Sequence, residues 1–199
     1  MIFRHHRETP EPGSGIEQQL KALEQQAEIA LPGFDAQFFN RAGDLCVEAQ
    51  DRTRALGYYG RAIDAYLRAG RYNAAGAVCR KLLRISPGSV RARCTLAWLS
   101  IGKGLLGDAQ WEVDEYVDAA VSTGQADLAR RQLRMMADAT YNLELRALLA
   151  DHLHKLGDEH AAELTERDTS EADREEPEAL WSRVLRAALM GPEDLRSDE

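Results

Sequence analysis

The chain has 199 residues, 44% of them hydrophobic, and its 25 Lys and Arg against 33 Asp and Glu leave a net charge of −8. That is length and apolar content for one globular domain or a short solenoid. Six prolines and fifteen glycines exclude a low-complexity chain. Abundant alanine, leucine, arginine and glutamate, without alternating Val/Ile runs, point to helix and away from sheet.

In chain order, residues 1–15 (MIFRHHRETPEPGSG) read as a flexible tail without an apolar run of signal-peptide length. No later stretch approaches the roughly 18 to 20 apolar residues of a membrane span, so a cytoplasmic protein is expected. Residues 16–35 hold an amphipathic flanking helix and linker, with Ile16, Leu20, Leu23, Ala27 and Leu31 on one stripe. Helices then follow near 36–49, 53–69, 72–85, 89–103, 106–123, 126–138, 142–156 and 159–167, with Ser86-Pro87-Gly88 as a sharp stop. An acidic linker is placed at 168–177. A C-terminal amphipathic helix and tail occupy 178–199, with Leu180, Trp181, Val184, Leu185, Ala188 and Leu189 on one face. Each flanking helix has two readings, a cap on the exposed end of the core or a segment that docks on a partner.

One turn signature recurs. A residue that closes a helix is followed five positions on by alanine, at Gly70/Ala75, Gly104/Ala109, Gly124/Ala129 and Gly157/Ala162, with a degenerate copy at Gln50/Ala55. Glycine suits the left-handed residue that ends a helix, and alanine suits a close helix crossing. Residues 62–75 also align with 116–129 through Ile63/Val117, Asp64/Asp118, Ala65/Ala119, Gly70/Gly124, Asn73/Asp127 and Ala75/Ala129. Duplication of a three-helix block accounts for this.

The 34-residue stretch 56–89 resembles the tetratricopeptide repeat through Tyr59, Ile63, Tyr66, Gly70, Tyr72, Ala75, Cys79, Leu82 and Pro87. Residues 90–123 match more loosely through Leu96, Ala97, Gly104, Ala109, Val113 and Tyr116, and 143–167 give a truncated copy. FNRAGDL at 39–45 resembles an opening helix common in bacterial members. Two departures stand out: Ile63 replaces a small residue, and the turn spacing alternates between roughly 20 and 34 residues, which leaves 126–138 outside a strict frame. The resemblance implies an all-α, right-handed α-solenoid of antiparallel helix hairpins over 36–167, with about eight core helices and the two flanking ones. It further implies a concave binding face. On that face the resemblance places Arg61, Asp64, Arg91 and Trp98, with Arg68 in the adjoining basic block. For Trp98, groove anchor and core packing both stand open. The carboxylate clamp of some family members is not matched, because Gly60 and Asp64 depart from it.

Catalytic, cofactor and metal sites are not expected. There is no nucleophile elbow, phosphate loop, zincin motif or dinucleotide fingerprint. His152 and His154 lie two apart, which on a helix points them in different directions, and Gly157 separates them from His160. Cys46, Cys79 and Cys94 contain no C-x-x-C pair and read as packed thiols in a reducing setting.

Charge is unevenly distributed. Residues 52–107 carry eleven Arg or Lys and one acid, Asp64, whereas 166–178 carry seven acids and two bases. Such asymmetry speaks to surfaces and partners rather than fold. The expected function is a non-catalytic adaptor or scaffold that binds a peptide or protein segment, acidic in character, on a partly basic solenoid face. Self-association through 178–190 is a further option. The alternatives are a nucleic-acid-associated protein that uses the basic 52–107 surface, which the net charge disfavours, and an accessory subunit of an enzyme complex.

Overall fold

The computed structural model describes residues 12–31 and 33–166, and every regular element among them is helical. The expected acidic linker and C-terminal helix lie outside the described residues. None of the described helices is long and apolar enough to cross a membrane. The chain divides into two compact units, one through Ala69 and the other from Gly70. That boundary falls inside the stretch 56–89.

The first unit contains α1 (Pro12–Ile29), α2 (Asp35–Glu48) and α3 (Arg52–Arg68). Proline suits the first helical position because its missing N–H would have no partner there, so α1 starts within the expected tail. Leu20 and Ala27 bury the α1 stripe, and α1 packs on α2. The α2–α3 contact is lined by small residues: Ala42, Cys46, Ala55 and Ala62 are each at most 1% exposed. Gly43 lets the Tyr59 ring lie against the α2 backbone; a Cβ there would meet the ring at 2.5 Å. The Tyr59 hydroxyl then donates to Asp44 at 2.7 Å.

The second unit contains α4 (Tyr72–Ile85), α5 (Val90–Lys103), α6 (Leu106–Ser122), α7 (Ala126–Ala139), α8 (Leu143–Lys155) and the single turn α9 (Glu163–Glu166). Each of these helices packs on the next in sequence from α4 to α8, and α5 also meets α7 and α6 meets α8. The core is built from Trp98, Val113, Tyr116, Leu133, Met136, Leu145, Leu149 and Leu153. Alanines 97, 109, 120 and 129, all fully buried, allow the helices to approach.

The five turns share one geometry. Gln50, Gly70, Gly104, Gly124 and Gly157 all have positive φ, between 61° and 79°, and Gln50 is the one residue among them that carries a side chain. After three of them the next N–H reaches back five residues, Asp51 to Cys46 at 2.8 Å, Gln125 to Ala120 at 2.7 Å and Asp158 to Leu153 at 2.9 Å. This is the helix-ending bond that satisfies an orphan carbonyl. Ala55, Ala75, Ala109 and Ala129 each donate the first i→i−4 bond of the following helix and are 0% exposed. The last turn differs. There the buried alanine is Ala161, and Ala162 is exposed. Among the described residues α8 packs on α7, α6 and α9.

Candidate binding surface

Four bases of the block, Arg54, Arg61, Arg80 and Arg93, face acids that lie outside it in sequence. In the first unit Arg54 bonds Glu17 of α1 at 2.7 Å and Asp51 at 2.6 Å. Arg61 lies 4.0 Å above the Phe39 ring and 3.9 Å from Glu24, while Glu24 also accepts from the Tyr58 hydroxyl at 2.8 Å. Burial, helped by that carboxylate, pushes the Tyr58 hydroxyl up to about 12. In the second unit Arg93 pairs with Glu115 and donates to the Pro87 carbonyl at 3.0 Å, and Arg80 stands 3.7 Å from Glu112.

The residues proposed for partner binding are distributed accordingly. Arg61, Asp64 and Arg68 follow one another along α3 in the first unit, Arg61 and Arg68 exposed and Asp64 half-buried. Arg91 opens α5 in the second unit and is exposed. Trp98 is corrected: at 1% exposure it is a core residue, and its indole N–H donates to Gln132 Oε1 at 2.7 Å. An anchor for a partner must be accessible, so of its two readings the core one fits.

A surface pocket of about 490 Å³ lies at the start of α4, lined by Gly70, Arg71, Tyr72, Asn73, Ala74 and Lys103. The left-handed Gly70 turns the chain into α4. Antiparallel packing of α4 and α5 brings the last residue of α5, Lys103, alongside. Asp51, Ser89 and Asn142 cap α3, α5 and α8 through their side chains, while the N-caps of α2, α4, α6 and α7, Arg71 of α4 among them, make no side-chain cap bond. The first turn of α4 and the basic residues Arg71 and Lys103 thus border one concavity, and a helix start beside two cations favours carboxylate or phosphate.

The buried titratable groups serve packing. Burial pushes the Cys94 thiol up to about 12 and raises that of Cys46 as well, which keeps both protonated and poorly nucleophilic. Burial also raises the Glu112 carboxyl against the opposing pull of Arg80 and Arg93. His152 contacts Asp114 at 2.9 Å, yet burial outweighs that partner and lowers its imidazole below the ordinary value. Among the described residues no group of three or more His, Cys, Asp or Glu is placed to hold a metal.

The chain matches no protein-family model, and neither the curated proteins nor the solved structures give a match.

Two accessible features went unread in the sequence. Trp111 is 59% exposed on α6; it falls outside the buried stripe Ala109–Val113–Tyr116, so helical periodicity carried that signal. At the α1–α2 corner Ile29, Leu31 and Phe34 are 85%, 73% and 49% exposed. The α1 stripe pointed to burial for Leu31, but the helix ends at Ile29 and the stripe ends with it.

Proposed function

We propose that this chain is a non-catalytic, tetratricopeptide-like adaptor that holds an acidic peptide segment of a partner protein. The observation that carries the reading is the basic concavity at the Gly70 turn, where Arg71 and Lys103 flank the first turn of α4. The repeat assignment draws support from the five left-handed turns and from two side-chain hydrogen bonds, Glu24 with Tyr58 and Trp98 with Gln132, that each span 34 residues. That is the length of one tetratricopeptide repeat. Stacked hairpins of this kind wind into a right-handed solenoid with a concave face, and a cytoplasmic setting suits three cysteines that form no disulfide among the described residues.

The test is fluorescence titration of the full chain with a short Glu/Asp-rich peptide and, separately, with single-stranded DNA, across a salt series. The adaptor reading expects peptide binding that weakens with salt and is lost in Lys103→Glu combined with Arg71→Glu. Preference for DNA would favour the nucleic-acid alternative. Absence of binding to either polyanion at low salt would overturn both.

A further inference from the structure

We propose that the apolar groove at the α1–α2 corner receives the C-terminal amphipathic segment 180–190 of a second copy of this chain. The groove, of about 320 Å³, is lined by Gln26, Ile29, Ala30, Leu31, Phe34, Gln37 and Phe38. Ile29 and Leu31 are the most exposed large hydrophobics among the described residues, and Phe34 stands beside them at 49%. Scattered exposed apolar residues need no explanation, but a contiguous apolar concavity rimmed by glutamines marks an interaction site.

Size, sequence and charge select the occupant. Three exposed side chains fall well short of the roughly 800 Å² per partner that a standard interface buries, so the groove does not carry a symmetric dimer by itself. A single amphipathic helix laid into it, with anchors at i, i+4 and i+7, is the established mode for a patch of this size. Residues 180–190 read LWSRVLRAALM, and at helical spacing Trp181, Leu185 and Ala188 fall in one row. Gly191-Pro192 supplies a stop after it.

The segment contains Arg183 and Arg186 and no acid. The corner offers acids in return. Glu28 is exposed one residue before Ile29, and Asp35, one residue after Phe34, has a buried Oδ1 without a hydrogen-bond partner among the described residues. A cationic helix with an apolar stripe therefore matches the groove in both respects. The first unit supplies the receptor and the end of the chain supplies the ligand, so two copies can exchange segments reciprocally.

The test is sedimentation of the full chain over a micromolar concentration range, together with two variants. Ile29→Lys with Leu31→Lys disables the groove at side chains that lie mostly in solvent. Trp181→Glu with Leu185→Glu disables the segment. Wild type is expected to self-associate, and each variant to weaken association by about tenfold or more, with unchanged helical circular dichroism. A mixture of the two variants restores one groove–segment contact and is expected to give a heterodimer, weaker than wild type because only one of two linkages remains. A monomeric wild type at high micromolar concentration would overturn the proposal, as would association indifferent to either variant or a mixture that forms no heterodimer.

Discussion

The indole N–H of Trp98 on α5 donates to Oε1 of Gln132 on α7 at 2.7 Å, with both residues at most 2% exposed. The bond satisfies a donor that would otherwise be stranded in the core. It also joins α5 to α7, two helices further along the chain. A tryptophan can be buried so deeply because this partner waits for it.

Removal of one partner should cost more than removal of both. Gln132→Leu leaves the indole N–H unpaired and is expected to destabilise by about 1–3 kcal/mol. Combined with Trp98→Phe, the loss should be smaller than the sum of the single losses. Urea denaturation of the four members of this cycle measures it, and strict additivity would show that the bond contributes nothing.

The turns predict opposite signs for changes between glycine and side-chain-bearing residues. Gln50 has φ 61°, so Gln50→Gly should stabilise by up to about 1 kcal/mol. Gly70→Ala, at φ 66°, should destabilise by a similar ~1 kcal/mol. Gly57 lies inside α3 with open space at its Cβ position, and Gly57→Ala should stabilise by about 0.5–1 kcal/mol. Thermal melts of the three variants test the pattern, and a common direction for all three would refute it.

Gly43→Ala should be costly for a different reason. The added methyl would stand 2.5 Å from the Tyr59 ring, and overpacking of this kind costs about 1–3 kcal/mol. Replacement of Tyr59 by leucine in the same chain makes room, so part of the loss should return. Denaturant midpoints of the single and double variants decide the matter.

His152 should make stability fall on mild acidification. Its folded-state value lies below the ordinary 6.5 because burial disfavours the imidazolium. The unfolded chain therefore binds the proton first, and stability declines as pH drops through 6.5 toward the lowered folded value. Glu112 acts in the opposite sense. Its raised folded value makes its contribution fully present below 4.5 and lost as pH rises through that folded value. Glu112→Gln should thus stabilise at neutral pH. Histidine NMR titration and pH-dependent melts check both signs.

Arg93→Glu is expected to act on the fold rather than on binding. Its guanidinium is held by the Pro87 carbonyl and by Glu115, so reversal strands both partners and places two carboxylates together. Lys103→Glu, on an exposed side chain, should leave the melting temperature unchanged while peptide affinity falls. Equal effects of the two variants on melting would show that this division is wrong.

The sequence by itself determined the local features. The turns at 50, 70, 104, 124 and 157 and the boundaries of seven helices follow from residues within a few positions of each site, since helix ends and left-handed turns are local matters. Apolar spacing likewise placed Leu20 and Ala27 inside. What faces what was decided only by tertiary structure. Trp98 could be groove or core until Gln132, 34 residues away, supplied its partner. That Arg54, Arg61, Arg80 and Arg93 of the basic run 52–107 face Glu17, Glu24, Glu112 and Glu115 of other helices was not legible in the sequence. The packing of α8 on both α6 and α7 was equally hidden. Charge and burial belong to surfaces, and a surface exists only once helices distant in sequence are brought together.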